Sequence, residues 1–221
     1  MDRALVIGAS GGIGSAVVSA LEARGVEVCG LSRRDDGLDV TDEASVAAHF
    51  GALEGAFDLV FVATGALEIG GAAPEKSLAQ LEARAMADQF ALNAIGPALV
   101  LKHALRLLPK DRRAVFAALS ARVGSIGDNR LGGWHSYRGA KAALNQILHG
   151  GAIEIARSHP QAICVALHPG TVATDFTARY LGRHPAVSAD EAAQNILSVL
   201  GALSPAQSGG FFDWTGEAVA W

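Results

Sequence analysis

Tyr137 and Lys141 are the two residues whose types and spacing point most directly to chemistry. They lie four positions apart in a segment with helical periodicity, so both side chains should share one helix face. A free phenol has a pKa of about 10 and is a weak acid at neutral pH. A neighbouring ammonium group stabilises phenolate and lowers that pKa, so the pair suits proton transfer to or from a substrate oxygen. The alternative is a Tyr–Lys contact on an exposed helix.

A glycine-rich turn near the start of the sequence is a candidate phosphate site. The apolar run Ala4–Ile7 predicts a strand, and Gly12–Arg24 predicts a helix just after it, with the spacing G-x-x-x-G-x-G between them. A helix N-terminus offers free N–H groups and a partial positive charge to a pyrophosphate, and glycines let the backbone approach it closely. The residues predicted to line this site are Gly8, Ser10, Gly11, Gly12, Ile13 and Gly14. A tight turn without a ligand is the alternative.

The end of the second predicted strand indicates which dinucleotide would bind. An acidic residue there would bind the ribose diol of NAD, whereas an arginine would accommodate the 2′-phosphate of NADP. Ser32, Arg33 and Arg34 follow the strand and offer a hydroxyl donor and two forked cations, which favours NADP(H). Asp36 lies just beyond the strand end. The alternative is that both arginines are solvated and that the protein prefers NAD.

Two residues further along could meet the adenine of the same dinucleotide. Asp39 could accept a hydrogen bond from the adenine amino group, with Val40 next to it. The alternative for Asp39 is a helix N-cap or a loop charge, because Thr41–Leu53 has helical periodicity. The sequence leaves both interpretations open.

These residues lie at the ends of short apolar runs that alternate with longer helical patterns. Strands are predicted at Ala4–Ile7, Val26–Leu31, Phe57–Ala63, Ala114–Ser120, Ala162–Leu167 and Gly210–Asp213. Helices are predicted at Gly12–Arg24, Thr41–Leu53, Ser136–Ser158 and Ala189–Leu200, with one or two more in Leu78–Leu108 that break near Gly96 and Pro97. Near-continuous apolar strands that alternate with helices imply a parallel sheet covered on both faces. We predict an α/β fold, a Rossmann-type doubly wound parallel sheet of about seven strands, with residues 1–221 as a single domain.

Length, charge and composition limit the class of protein. The 221 residues carry a net charge of −4, which gives no reason to expect a nucleic-acid partner. No apolar run reaches the length of about 18 residues that a membrane span needs, and the run before Gly8 is too short for a signal peptide. Cys29 and Cys164 lie in apolar runs and are expected to be free thiols, and no Cys/His spacing predicts a metal site. The cytoplasm is therefore the expected location by default.

The glycine turn and the Tyr–Lys pair together resemble the short-chain dehydrogenase/reductase superfamily, over essentially the whole length of the chain. The resemblance rests on both motifs and on their separation. It continues in Asn93-Ala94-Ile95-Gly96 and in the stretch Pro169–Asp175. The segment Leu119–Asn145 is also similar to a subgroup that includes bacterial C-factor-like proteins.

The resemblance implies a role for individual residues. Tyr137 would be the acid/base, Lys141 its partner, and Asn93 would support a water-linked proton relay to the lysine. The implied cofactor contacts are Asp39 and Val40 at the adenine, Ala63, Thr64 and Gly65 at the adenine ribose side, Pro169, Gly170, Val172 and Thr174 around the nicotinamide, and Asn93, Tyr137 and Lys141 themselves. The alternatives are a packing role for Asn93 and a plain turn at Pro169 and Gly170.

Two departures from the family pattern bear on the site. The family's usual Asn-Asn-Ala-Gly reads Val62-Ala63-Thr64-Gly65 here. The family's Ser-Ser-x-x-Gly before the tyrosine ends at Gly124 and has Ala121 where the second serine would orient the substrate carbonyl. A neutral donor is wanted there, and Ser120 is the first candidate and Ser125 the second, unless the role is absent.

The resemblance also places a substrate-binding loop at Phe176–Val187, which contains Tyr180, Arg183 and His184. Trp134 and His135 are candidates for the mouth of the substrate site. The family often pairs through the tyrosine-bearing helix and the helix before it, which implies a homodimer or homotetramer.

The sequence therefore predicts an oxidoreductase that transfers a hydride between NADP(H) and a small-molecule carbonyl or alcohol substrate. Tyr137 would give or take the proton. The alternative is a nucleotide-binding regulatory or signalling protein with little turnover, which the altered serine site and the C-factor-like resemblance motivate.

Overall fold

The computed structural model describes residues 1–174, 177–180 and 186–221, and a parallel sheet forms its centre. The strands of the described residues are β1 (Arg3–Ile7), β2 (Glu27–Leu31), β3 (Leu59–Val62), β4 (Ala114–Leu119), β5 (Ala162–His168) and β6 (Phe211–Asp213). Their order in the sheet is β2-β1-β3-β4-β5-β6, with every neighbouring pair parallel. The carboxyl ends of all these strands therefore meet at one edge, where ligands of open α/β sheets bind.

Helices connect the strands and cover the sheet. They are α1 (Gly12–Glu22), α2 (Arg33–Asp36), α3 (Glu43–Gly51), α4 (Ala83–Phe90), α5 (Gly96–Ala104), α6 (His135–Ala156) and α7 (Ala189–Ala202). Short 3₁₀ turns lie at Leu78–Gln80, Leu105–Leu107, Arg122–Gly124 and Pro205–Gln207, and a π-helical segment at Ala91–Ile95 joins α4 to α5. None of the helices in the described ranges combines the length and apolar character that a membrane span requires.

The apolar strands are buried from both sides, as the sequence predicts. Every residue of β3 and β4 is buried. One core cluster packs α3, α5 and α6 on one face of the sheet, with Phe50, Phe116 and Leu144 among its members. A second cluster packs α1 and α7 on the other face. The predicted doubly wound α/β fold is thus confirmed.

The strand count differs slightly, because the described residues form six strands and not about seven. After β2 the chain forms the short helix α2, turns at Gly37 with a left-handed φ of 76°, and enters α3 at Glu43. Leu38 and Val40 bury their side chains in this connection without joining the sheet.

The helical stretch between β3 and β4 consists of two α-helices. The break predicted near Gly96 and Pro97 takes the form of the π segment Ala91–Ile95, which ends directly before α5 begins at Gly96. Pro97 has no N–H to offer the carbonyl of Asn93 four residues earlier, and a widened turn absorbs that loss. Asn93 consequently lies inside the π segment and is fully buried.

Candidate active site

The glycine-rich turn joins β1 to α1 at the carboxyl edge of the sheet. Gly8 has a left-handed φ of 84°. The backbone N–H groups of Gly8 and Ala9 donate to Leu31 O at 2.8 and 3.2 Å, which ties the turn to the end of β2. Gly11 caps α1 without a side-chain hydrogen bond. A helix N-terminus of this kind keeps its N–H groups available to an anion.

Close packing leaves no room for a side chain at two glycines of this turn, Gly14 and Gly12. A Cβ atom on Gly14 would lie 2.1 Å from Gly8 O, and one on Gly12 would lie 2.6 Å from Cγ2 of Thr174. The first contact closes the turn on itself, and the second brings the loop after β5 to the start of α1. Ser10 and Ile13 are half-buried in the same turn.

Gly14→Ala should destabilise the fold by about 1–3 kcal/mol, because the added methyl group has no room next to Gly8 O. The same displacement of the turn should weaken nucleotide binding. Gly201→Ala on α7 is the matched control, since nothing lies within 4 Å of its Cβ position and alanine is favoured in helices by about 0.5–1 kcal/mol. Urea unfolding measures both variants. A Gly14→Ala protein as stable as the parent would contradict the close contact.

Ser32 and the arginines after it are held by two carboxylates. The hydroxyl of Ser32 caps α2 by accepting from Asp35 N at 3.0 Å, and it approaches carboxylate oxygens of Asp35 and Asp36 at 3.2 and 3.3 Å. The Ser32 N–H donates to Asp36 Oδ2 at 2.7 Å, and Arg34 pairs with Asp35 at 2.9 Å. Arg33 and Arg34 are exposed. Carboxylates thus occupy the Ser32 donors that the sequence assigns to the 2′-phosphate of NADP.

Asp39 and Val40 lie in the loop between α2 and α3. The Asp39 carboxylate accepts from the N–H and hydroxyl of Thr41 at 2.9 and 2.7 Å, and these hydrogen bonds lower its pKa. These contacts lie within the loop, and the N-cap of α3 is Asp42 and not Asp39. Val40 packs against the start of α5, where a Cβ atom on Gly96 would lie 2.8 Å from its Cγ2 atom.

The segment after β3 passes next to the glycine turn. A Cβ atom on Gly8 would lie 3.1 Å from the carbonyl of Ala63 and 3.2 Å from Thr64 N. Thr64 Oγ1 is buried and has no hydrogen-bond partner among the described residues. A buried hydroxyl without a partner is costly, so this atom marks a place where a polar ligand group would fit.

Tyr137 and Lys141 lie one turn apart on α6, both almost fully buried. Lys141 Nζ donates to Leu119 O at 2.9 Å, at the carboxyl end of β4, and lies 5.8 Å from the centroid of the Tyr137 ring. A Cβ atom on Gly124 would lie 2.8 Å from Lys141 Cβ, so this glycine lets the turn after β4 approach the helix. The two residues therefore share one helix face at the ligand-binding edge of the sheet.

Burial controls the charges of this pair. It raises the pKa of Tyr137 and lowers the pKa of Lys141 to about 7, because it disfavours the charged form of each group. The sequence predicts a lowered tyrosine pKa, whereas burial has the larger effect in this structure. Tyr137 is thus held neutral as a proton donor, and Lys141 changes its charge near neutral pH.

Asn93 connects the π segment to the loop after β3. Its amide nitrogen donates to Ala66 O at 3.0 Å and to Gln89 Oε1 at 2.7 Å. A Cβ atom on Gly65 would lie 2.8 Å from Asn93 Oδ1 and 3.6 Å from Lys141 Nζ, so both polar groups border the space next to Gly65. This glycine keeps that space open between the amide and the ammonium group.

The candidate serines have structural partners. Ser120 Oγ donates to Asn145 Oδ1 on α6 at 2.6 Å, and Ser125 Oγ accepts from Asp128 N at 3.1 Å. Both serines are buried. Neither of these hydrogen bonds is directed to Tyr137 or Lys141.

The stretch Pro169–Thr174 runs from the end of β5 toward the glycine turn. Gly170 has a left-handed φ of 81° and a Cβ position 3.0 Å from Cδ1 of Trp214. Thr174 reaches Gly12 at the start of α1. The stretch thus lies on the same edge of the sheet as the Tyr–Lys pair.

Comparison with known proteins identifies the family. A family model described as short chain dehydrogenase matches residues 2–182. A Rhodococcus enzyme named 1-hydroxy-2-glutathionyl-2-methyl-3-butene dehydrogenase is 30% identical, with 100% of both chains covered. The chain belongs to the short chain dehydrogenase family. Members of this family are oxidoreductases that bind nicotinamide cofactors.

Two further relatives place the chain within this family. C-signal from Myxococcus xanthus is 34% identical over 62% of this chain and 78% of its own length, in agreement with the C-factor-like resemblance. The NADPH-bound carbonyl reductase from chicken fatty liver has a TM-score of 0.85 at 25% identity, with 100% of this chain and 94% of that chain covered.

Aromatic and charged side chains surround the mouth of the site in this short chain dehydrogenase. The Trp134 ring lies edge-on to Tyr137 and to Tyr180, with centroid distances of 6.3 and 5.4 Å. The Tyr180 hydroxyl donates to Glu68 at 2.6 Å, and Arg179 pairs with the same carboxylate at 3.0 Å. The other predicted members of this loop, Arg183 and His184, lie outside the described residues, as do Asp175 and Phe176.

Sequence reasoning missed two polar residues of the site. Gln89 donates to Leu67 O at 2.8 Å and accepts from Asn93, and its spacing of four residues before Asn93 on a helix could have indicated it. Glu75 binds the start of α6 from a loop 61 positions earlier in the chain, and no pattern in the sequence signals that contact.

Proposed function

We propose that this chain is an NADP(H)-dependent oxidoreductase that interconverts a small-molecule carbonyl and its alcohol. The observation that carries the proposal is the burial of Tyr137 and Lys141 on one face of α6, beside a glycine turn that presents an uncapped helix N-terminus. The NADPH-bound carbonyl reductase with the same fold supports the choice of cofactor and reaction. We further propose that residues 1–221 act as one cofactor-binding and catalytic domain.

The residues at the carboxyl edge of the sheet fit a dinucleotide. The N-terminus of α1 would hold the pyrophosphate, and the absence of side chains on Gly8, Gly12 and Gly14 would let the backbone approach it closely. The Thr64 hydroxyl, which has no hydrogen-bond partner among the described residues, would bind a ribose hydroxyl of the dinucleotide. The Pro169–Thr174 stretch would flank the nicotinamide.

Tyr137 supplies the proton for the reaction, and Lys141 stabilises the charge that the proton leaves behind. Bound NADPH supplies the hydride, which is chemistry that no side chain offers. Tyr137 Oη gives its proton to the oxygen of the reduced carbonyl, and takes it back in the reverse direction. Lys141 compensates the phenolate that remains, and the buried surroundings exclude water from both groups. Ser120 would polarise the carbonyl if its hydroxyl turned from Asn145 toward the substrate, and Ser125 is the second candidate.

Parallel titrations of the purified protein with NADPH and NADH, followed by a screen of aldehydes, ketones and a glutathione-conjugated alcohol, test this function. The last compound follows from the printed name of the Rhodococcus relative. Tighter binding of NADPH and its oxidation by a carbonyl compound are the expected results. Binding of neither nucleotide would contradict the proposal, and tighter binding of NADH would contradict the choice of cofactor.

Asp36→Asn should strengthen the binding of NADPH about tenfold and leave the binding of NADH nearly unchanged. The Asp36 carboxylate accepts the hydrogen bond of the Ser32 N–H and would repel a 2′-phosphate. The amide of asparagine removes that negative charge. Arg33→Ala and Arg34→Ala should act in the opposite direction by removing cations. Fluorescence titration measures all three. Equal gains for both nucleotides would show that Asp36 does not discriminate between them.

We propose a homodimer or homotetramer in the cytoplasm. Ile95 at the end of the π segment and Ile153 on α6 are about half exposed, on the elements through which we expect two copies to pair. The free thiols of Cys29 and Cys164 fit a reducing compartment. Light scattering measures the mass, and a monomer would contradict the pairing.

A regulatory or signalling role with little turnover is the second candidate function. The similarity to C-signal favours it, and so do the structural partners of Ser120 and Ser125. This candidate predicts nucleotide binding without turnover of any carbonyl compound.

A further inference from the structure

The backbone that leads into α6 has an unusual conformation. Gly132, Gly133 and Trp134 have positive φ values of 65°, 66° and 52° in succession. Within the described part of the chain, Trp134 is the one residue other than glycine in this conformation. A positive φ is sterically unfavourable for tryptophan, so the surrounding residues must hold Trp134 in this conformation.

Glu75 supplies the contacts that hold this segment. Its backbone carbonyl accepts from Trp134 N at 2.5 Å. Its side chain accepts from Ser136 N at 3.2 Å and from the Ser136 hydroxyl. Glu75 thus binds the last residue before α6 and the second residue of the helix, on either side of His135. No residue of α6 itself caps the helix, and a carboxylate from a distant loop takes that place.

The carboxylate is buried and ionised. Glu75 is 7% exposed and Ser136 is 3% exposed. Burial raises the pKa of Glu75. The hydrogen bonds from Ser136 and the electrostatic attraction of His135 outweigh the effect of burial and leave the pKa below its usual value. The partial positive charge of the helix N-terminus favours the same ionised form.

Glu75 and Tyr137 also line the same small cavity, together with Gln89 from α4. Among the described residues that line it, Glu75 is the titratable group other than Tyr137. Among the described residues, His135 lies close to Glu75 and Lys141 lies close to Tyr137, both on α6. Glu75 and Tyr137 therefore border the same space at the start of α6.

We propose that Glu75 is a positioning residue, which fixes the start of α6 through Ser136 and Trp134 and thereby sets the orientation and proton affinity of Tyr137. The inference rests on the proposed role of Tyr137 in proton transfer. Tyr137 directly follows Ser136 in the chain, and its ring lies edge-on to Trp134. A shift at the start of the helix would move the phenol relative to Lys141, and small misplacements at a reacting centre have large effects on rate.

Asp58 provides a matched control, because it is a buried carboxylate with a structural role elsewhere. It is 6% exposed, accepts from Asp2 N at 2.7 Å and pairs with Arg112 at 2.9 Å. It precedes β3 and lies at the amino ends of the strands, whereas Tyr137 lies at their carboxyl ends. Asp58→Asn and Glu75→Gln should therefore both reduce stability, but only Glu75→Gln should change the behaviour of Tyr137.

The experiment compares both variants with the parent protein in steady-state kinetics. Glu75→Gln should lower kcat about tenfold or more with an unchanged cofactor Kd, because an amide cannot accept both hydrogen bonds from Ser136. The pH midpoint of alcohol oxidation, which needs phenolate, should also change, because the phenol moves relative to Lys141. Ser136→Ala removes only the hydroxyl contact, and it replaces Glu75→Gln if the latter fails to fold.

A second readout does not depend on turnover. The chain has two tyrosines, so Tyr180→Phe leaves Tyr137 as the source of the NMR signal from isotope-labelled tyrosine. Glu75→Gln in this background should shift or broaden that signal, and Asp58→Asn should leave it in place. An unchanged signal and pH midpoint in Glu75→Gln would overturn the inference. A parent protein that turns over no substrate would contradict the proposed function, and the tyrosine signal would still decide the role of Glu75.

Discussion

Tyr137→Phe is expected to lower turnover about 10²–10⁴-fold, the range that loss of a positioned acid or base usually costs. The affinity for NADPH should stay nearly unchanged, because the variant keeps the ring that packs next to Trp134 and leaves the glycine turn intact. Steady-state rates and fluorescence titration on the same preparation measure both quantities. The expected pattern is a loss in kcat with little change in cofactor Kd.

Tyr180→Phe is the natural control for this change, since it removes the other phenol of the chain. Its hydroxyl donates to Glu68 at the mouth of the site, so the loss should affect turnover far less than the loss of the Tyr137 hydroxyl. Equal losses in the two variants would indicate a general disturbance of the mouth and would contradict the assignment of Tyr137 as the acid.

Tyr137→Phe also separates the two candidate functions. A biological effect that survives Tyr137→Phe would favour the regulatory role, because that role needs a bound nucleotide but no proton transfer. An effect that disappears together with turnover would favour the enzyme. The measurement needs a phenotype for the parent protein and the nucleotide affinities of both forms.

The fold could be predicted because its signals are local. Apolar runs such as Ala114–Leu119 have the length and composition of strands buried on both faces, and the helices between them fix a parallel arrangement. The stretch around Pro97 has a less specific signal, since proline usually ends or kinks a helix. Here the π segment Ala91–Ile95 accommodates the missing N–H, and proline alone does not indicate which of these outcomes occurs.

The candidate site could be predicted only where its residues form a motif. The glycine turn and the Tyr–Lys spacing are local patterns, and the structure brings both to one edge of the sheet. The orientation of side chains is not local. Ser32 binds Asp36 in place of an open phosphate site, and Ser120 donates to Asn145 within the core. Glu75 reaches α6 across 61 positions of sequence, which only the tertiary structure reveals.

Lys141→Met should nearly abolish turnover and at the same time make the protein more stable below neutral pH. Burial lowers the pKa of Lys141 to about 7, whereas a lysine in the unfolded chain has a pKa of about 10.4. The unfolded chain therefore binds more protons than the folded one between these values, and stability rises with pH across that window. Below pH 7 the folded protein bears the full cost of a buried ammonium group, on the order of a few kcal/mol. Methionine fills similar space without that charge.

Urea unfolding at pH 6, 8 and 10 should thus show a stability gain for Lys141→Met that shrinks as the pH rises. Lys110→Met, at an exposed lysine, should show no such trend. Parallel pH profiles of the parent and Lys141→Met would mean that the ammonium group is not strained by burial, and would remove the reason to expect its charge to change near neutral pH. A stability gain joined to a loss of turnover would instead show that the fold bears a cost in order to keep a titratable cation beside Tyr137, as expected for a residue retained for chemistry and not for packing.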